Sequence, residues 1–205
     1  MLEIVHDIVP DASLAFRTGF TTPGDFALGI GELKAAGCDV IVDDITFITE
    51  PYFKDGVVAH AVDNAVAAGA TYLSAAGNFG AKSYEGDFTG ITAPATLSGI
   101  TVPVHDFGAG NPLQTLDLQP GNYTIVLQWD DNIYSMGSTM TGATGACTDL
   151  DIYVVDNFGT TLFGFNRNNR GTDPLEVLPF TVTKATTANL LISKAFGPDV
   201  HFKYI

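Results

Sequence analysis

The chain has 205 residues, enough for one large hydrophobic core or two small ones, and 46% of them are hydrophobic against 16% charged. With a mean hydropathy of +0.21 this excludes a disordered chain, while no apolar stretch reaches the ~20 residues of a membrane span. Nine basic residues against 23 acidic ones leave a net charge of −14, which repels phosphate backbones and argues against nucleic acid as a partner.

Leu2, Val5 and Ile8 recur at helical spacing, which predicts a helix over residues 1–8 with no cap before it. Glu3, His6 and Asp7 interrupt its apolar run, so it does not read as a signal peptide, and any export address lies outside this chain. Val9-Pro10-Asp11-Ala12 stops the helix and Ser13–Phe20 reads as a strand. Thr22 as N-cap, Pro23 at the first helical position and acidic Asp25 predict a second helix, with Phe26, Ile30, Leu33 and Ala36 as its stripe and Gly37 as its stop. Asp39–Ile45 and Thr71–Ala75 are short apolar runs of the kind found in buried parallel strands. Between them Val57–Ala68 predicts a helix with Val58, Val62, Ala65 and Val66 inward, ending at Gly69. Residues 1–80 are thus expected to form an α/β segment with a partial parallel βαβαβ sheet and right-handed crossovers. Ligands of such sheets bind beyond the strands' carboxyl ends. Asp43-Asp44-Ile45-Thr46 and Ala76-Gly77-Asn78 stand there.

Residues 81–99 read as a linker, and from about residue 100 the period changes to two. Leu113–Leu118, Asn122–Trp129, Asp149–Val155, Thr160–Phe165, Leu175–Val182, Ala188–Ser193 and Val200–Ile205 are the expected strands, with Tyr123, Ile125, Leu127 and Trp129 on one buried face. Asp156-Asn157-Phe158-Gly159 is a hairpin turn. The series predicts an antiparallel, jelly-roll-like β-sandwich over residues 100–205. Asp149 and Asp151 point to one face of a strand, and with Asp130, Asp131 and Asn132 they offer hard oxygen ligands to calcium. The same residues also read as an acidic solvated face. Phe163, Phe165 and Tyr153 fit either a recognition strip or core packing, and the loop Asn132–Ala146 is long enough to be functional or disordered. Cys38 and Cys147, one in each part, make neither a disulfide framework nor a zinc site, and nothing in their spacing supports a bridge.

The stretch Ala61-Val62-Asp63-Asn64-Ala65-Val66-Ala67-Ala68-Gly69, followed by Ser74-Ala75-Ala76-Gly77-Asn78, resembles the subtilisin-like serine peptidases. There a helix of this type leads into a strand and an Ala-Gly-Asn turn. Ile8-Val9-Pro10-Asp11-Ala12-Ser13-Leu14-Ala15 is similar to that family's stretch after the helix bearing the catalytic histidine, and Gly37–Val42 to the strand before its substrate-binding segment. Leu127-Gln128-Trp129-Asp130 with Thr148-Asp149-Leu150-Asp151-Ile152-Tyr153 resembles the pre-peptidase C-terminal (PPC-like) domains of secreted bacterial peptidases. In some subtilisin-like proteins such a module is inserted after the asparagine turn.

The resemblance implies that Asn78 donates a hydrogen bond to the oxyanion of a tetrahedral intermediate, a role worth roughly 3 kcal/mol of barrier. It implies that Asp43, Asp44, Ile45, Thr46 and Gly77 line a peptide- or protein-binding cleft, and that the protein is extracellular or on the cell surface. Asparagine is also a good turn residue in its own right. The departures are substantial. The chain has no Gly-Thr-Ser motif, none of His6, His60, His105 and His201 stands in the family's histidine context, and Asp43-Asp44 replaces small residues. The expectation is an interior peptidase segment, inactive by itself, that self-associates through its incomplete sheet. The alternative is a non-catalytic cell-surface adhesion protein acting through the β-sandwich.

Overall fold

A computed structural model describes residues 2–97, 99–134 and 144–205. The chain divides into two compact units, residues 1–50 with 55–77, and residues 51–54 with 78–205.

The first unit contains helices α1 (Leu2–Ile8), α2 (Pro23–Ala35) and α3 (Val57–Ala67) and strands β1 (Val40–Asp43) and β2 (Thr71–Ser74). Helix α2 starts where Thr22 accepts a hydrogen bond from the Asp25 amide and carries Pro23 in its first turn. It ends at Gly37, whose φ of 93° lets Gly37 N bond Lys34 O and Cys38 N bond Leu33 O. Gly69 ends α3 in the same manner, with bonds from Gly69 N to Val66 O and Ala70 N to Ala65 O. Strands β1 and β2 pair in parallel from Val40–Thr71 to Asp43–Ser74, with α3 as the crossover. Ile30, Ile41, Ala65 and Ala70 are the core, packed by Phe26, Leu33, Val58, Val62 and Tyr72.

Three expectations fail here. Residues 13–20 form no strand. Arg17 instead ties this segment to α2 through Asp25 (2.7 Å) and Glu32 (2.7 Å). Gly29 makes room for it, since a Cβ there would lie 2.8 Å from Arg17 Cγ. Nor are β1 and β2 buried on both sides. The helices cover the face that carries Ile41, while Val40, Val42 and Leu73 remain 59%, 58% and 53% exposed. Helix α1 buries none of its residues, and Val66, expected inward on α3, is exposed.

The second unit is a β-sandwich. Its strands are β3 (Tyr84–Asp87), β4 (Gly90–Ile91), β5 (Val104–His105), β6 (Gln114–Leu118), β7 (Gly121–Trp129), β8 (Asp149–Val155), β9 (Thr161–Phe165), β10 (Leu175–Val182), β11 (Thr186–Phe196) and β12 (His201–Tyr204). One sheet runs β10-β7-β12-β3, the other β4-β5-β11-β8-β9 with β6 also on β11, and these strands pair antiparallel throughout. Leu127, Trp129, Leu178, Phe180 and Phe202 of the first sheet meet Leu118, Leu150, Ile152, Val154, Leu190 and Ile192 of the second. Phe163 stacks on Phe180 at 4.9 Å, and Phe165 packs partly buried against the same core, so these rings pack rather than form a free strip. Leu97, Val104, Val155 and Leu191 form a smaller cluster, with Tyr153 packed against it.

The linker reading of residues 81–99 is corrected by β3 and β4, which pair with β12 and β5. Residues 51–54 also join this unit, where Tyr52 N donates to Gln128 (3.1 Å) and Lys54 pairs with Asp130 (2.6 Å). The turn at Asp156–Gly159 forms as expected, with Asp156 accepting from the Phe158 and Thr160 amides. Gly159 has a φ of 84°, and a Cβ there would lie 2.4 Å from Thr96 O. Gly159→Ala is therefore expected to destabilise the β unit by about 1–3 kcal/mol, read as a lowered urea midpoint with an unchanged slope.

Candidate functional site

Of the expected cleft residues, Asp43 ends β1 and Asp44, Ile45 and Thr46 follow it along the chain. Asp43 accepts hydrogen bonds from Tyr72 Oη (2.5 Å) and Ser74 Oγ (2.8 Å), and Ala75 N bonds Asp43 O at 3.3 Å. The Asp43 carboxylate thus cross-links the ends of the two parallel strands. Ile45 N approaches Asp43 Oδ1 at 3.5 Å, which begins the turn through Asp44 and Thr46. Gly77 has a φ of 76°, a left-handed conformation that favours glycine. Asn78 follows it with its side chain exposed and, among the described residues, without a hydrogen-bond partner.

No serine hydroxyl of the described residues meets a histidine in these contacts. Ser74 serves Asp43, Ser83 serves Gly80 O and Ser193 serves Asp151. His105 is buried, with Nδ1 accepting from Thr89 N and Nε2 therefore facing Tyr84 Oη as a donor at 2.8 Å. His201 lies between Asp87 (2.7 Å) and Glu85 (3.2 Å), and these two carboxylates raise its pKa. Both histidines of the β unit have structural partners.

The acidic residues considered for calcium do not come together as one set. Asp130 is held by Lys54. Asp131 accepts from the amides of Asn132, Cys147 and Thr148 at 2.7–2.8 Å, pinning the start of β8 to the end of β7. Asp149 accepts from Asn169 N (3.0 Å) and Asp151 from Ser193 Oγ (3.2 Å). Among the described residues no three acidic, histidine or cysteine side chains are placed to hold a metal ion. Part of the loop Asn132–Ala146, residues 135–143, lies outside the described residues. The solvated-face alternative fails for Asp149 and Asp151, which are both buried. Cys38 and Cys147 are free thiols.

What sequence reasoning missed is Glu176, a further buried acidic residue whose charge interacts with Asp149 and Asp151. Glu176 lies on β10 in phase with Leu178, Phe180 and Val182 and is fully buried. Its carboxyl oxygens make no close hydrogen bond among the described residues, although the Arg167 backbone and charge lie near enough to favour the ionised form somewhat; the buried Asn169 Oδ1 also lacks a partner. Asn169 is fixed there by donating Nδ2 to Asp173 O (2.9 Å) and Leu175 O (2.8 Å). Burial first, and then the charge of Asp151, push the Glu176 pKa up to about 9. Burial and Asp149 push Asp151 up to about 6. A charged residue in phase with three apolar ones was the available signal. Burial thus favours the neutral, protonated form of this carboxyl group.

Comparison with known protein families and with curated proteins finds no match for this chain.

A folded pKa raised above the unfolded value gives stability that is complete below the unfolded pKa and is lost as pH rises through the folded one. For Glu176 that window runs from the ordinary glutamate range to about 9, and for Asp151 from the ordinary aspartate range to about 6. The β unit is expected to lose melting temperature steadily between mild acid and pH 9. Glu176→Gln, neutral at every pH, should flatten the part of that slope above pH 6, as differential scanning calorimetry across the range would reveal.

Proposed function

We propose that the chain is an interior segment of a secreted subtilisin-like serine peptidase, with a jelly-roll-like, PPC-like sandwich inserted after the asparagine turn. In this reading the first unit belongs to a larger parallel βαβαβ sheet, Asn78 is the oxyanion donor, and residues 43–46 and 77 line the peptide cleft. The required histidine and nucleophilic serine come from outside these residues, so the chain alone does not hydrolyse peptide bonds.

The observation that carries the reading is the uncovered face of the first sheet. Parallel strands are stable when both faces are covered, yet Val40, Val42 and Leu73 are open to solvent while the opposite face is packed. Chain that continues the sheet and covers this face is the simplest remedy. The β unit supports the insertion. Its first strand, β3, and its last, β12, are neighbours, with Tyr84 opposite Tyr204 and their rings stacked at 5.8 Å. A module whose ends lie side by side enters a host loop without parting the host's own elements.

A second reading, adhesion through the sandwich, has its own observation. Phe158 in the hairpin turn and Leu162 on β9 are exposed beside an unpaired sheet edge. Binding to a glycan or insoluble-protein panel that survives deletion of residues 1–80 would favour it.

Two outcomes test the peptidase reading. In the protein extended by its native flanking sequence, Asn78→Ala should lower kcat about 100- to 1000-fold with KM little changed. An unchanged kcat removes Asn78 from the site, and fluorophosphonate labelling of a serine within the isolated chain contradicts the segment reading altogether. The isolated chain should also form dimers or larger species through the open sheet face, and Val42→Lys should shift sedimentation velocity profiles toward monomer. A wild-type chain that stays monomeric at all concentrations counts against a self-associating face.

A further inference from the structure

The β unit carries an open cleft of about 540 Å³ lined by Ala146, Cys147, Asn168, Arg170, Gly171 and Phe196, a volume that suits a small ligand or one or two peptide residues. Its walls are locked backbone to backbone. Ala146 and Arg170 form a parallel bridge, Gly171 N bonds Ala146 O at 2.8 Å and Ala146 N bonds Thr172 O at 2.7 Å. Gly145, at φ 73°, approaches so closely that a Cβ would lie 2.3 Å from the Gly171 carbonyl carbon. Gly197, at φ 93°, likewise abuts Thr148, with 2.7 Å from the Cβ position to Thr148 Cα.

Within this frame the Arg170 guanidinium lies over the Phe196 ring, 3.8 Å from its centroid. Among the described residues it has no carboxylate or carbonyl partner. Arg17, Lys54, Lys194 and Lys203 are each committed to a carboxylate, and Arg170 is not. Stacking fixes the plane of the guanidinium and leaves the N–H fork along its edges free, the arrangement that receives a carboxylate. Asn168 Oδ1 is occupied by Arg170 N at 3.1 Å, so the amide presents its Nδ2 donor. The Cys147 thiol adds a weak donor. Ala146, Gly171 and the Phe196 ring supply apolar wall. Arg170 and the Asn168 Nδ2 are thus donors without a partner among the described residues, and the Asp131 carboxylate beside the cleft already accepts from the Cys147 amide.

We propose that this cleft binds an organic carboxylate joined to a small apolar group, held by the Arg170 fork and packed against Phe196. A dianion such as phosphate is disfavoured by the net charge of −14 and by the single cation available. The carboxylate has two sources, a free organic acid or the C-terminus of a peptide. The inference does not depend on the peptidase reading.

Titration of the full chain by nuclear magnetic resonance, following the Arg170 Nε signal, tests it with three probes: hexanoate, N-acetyl-phenylalanine and N-acetyl-phenylalanine amide. Both carboxylates should bind in the millimolar range or better and the amide should not. Tighter binding of the amino-acid derivative identifies the peptide terminus as the source, and tighter binding of hexanoate the free acid. Arg170→Gln should weaken carboxylate binding by about tenfold or more. Equal binding of the amide, or no shift with either acid at millimolar concentration, overturns the proposal. Cys147 gives an independent readout that requires no affinity. The ratio of its alkylation rates by iodoacetate and neutral iodoacetamide should fall in Arg170→Gln, while the ratio at Cys38 stays constant as an internal reference. A ratio at Cys147 that is indifferent to Arg170 contradicts the placement of the anion.

Discussion

The two sheets of the β unit meet through side chains withdrawn almost wholly from water, with Trp129 and Phe202 the largest and Leu127, Leu150, Ile152 and Leu190 around them. Each such side chain contributes on the order of 1.5–3 kcal/mol by leaving water. The same exclusion of water sets the terms for every polar group nearby. It is why Glu176 holds its proton, why Asp149 and Asp151 each need a donor, and why Asn169 spends both amide hydrogens on backbone carbonyls. Just outside the seal, the segments at residues 145–147 and 170–172 are bonded backbone to backbone and form the walls of the Arg170 cleft. A dry interior and a preformed exterior surface are two results of one packing arrangement.

The first unit has the opposite character. Its single small core lies between the helices and one face of a two-stranded parallel sheet. Long-range order at the strand ends rests on the Asp43 carboxylate, which gathers Tyr72 and Ser74. With Asp43 committed to bridging the strands, its side chain is a structural fastener.

Much of this was legible in the residues. Thr22-Pro23 and Gly37 bracket α2 because cap chemistry is local, Leu175–Val182 alternates in burial along its length, and Asp149–Val155 is an apolar-rich run that ends at a turn. The misses share one cause, dependence on distant partners. Tyr84-Glu85-Gly86-Asp87 shows little apolar alternation and becomes a strand only by pairing with residues 201–204. Ser13–Phe20 has strand-like residues but no adjacent strand, and Arg17 finds carboxylates on α2 instead. The Asp130, Asp131, Asp149 and Asp151 set looked like one ligand shell because spacing along a strand shows the face and not the donors already waiting on it. The Arg170 cleft joins three segments well separated in sequence, and no local pattern announces it.

The position of β12 has a consequence for how the protein is made. This strand, residues 201–204, lies between β7 and β3 and joins them into one sheet. On the ribosome, β3 emerges more than a hundred residues before its partner, and at ~5–20 residues per second that is an interval of several seconds. During it β3, and β7 once it has emerged, each carry an unsatisfied row of backbone donors and acceptors, available to any neighbouring nascent chain. Completion of the sheet is a late, non-local event that closes a long loop. A nascent chain stalled before residue 201 would therefore present two sticky strands rather than a nearly finished domain.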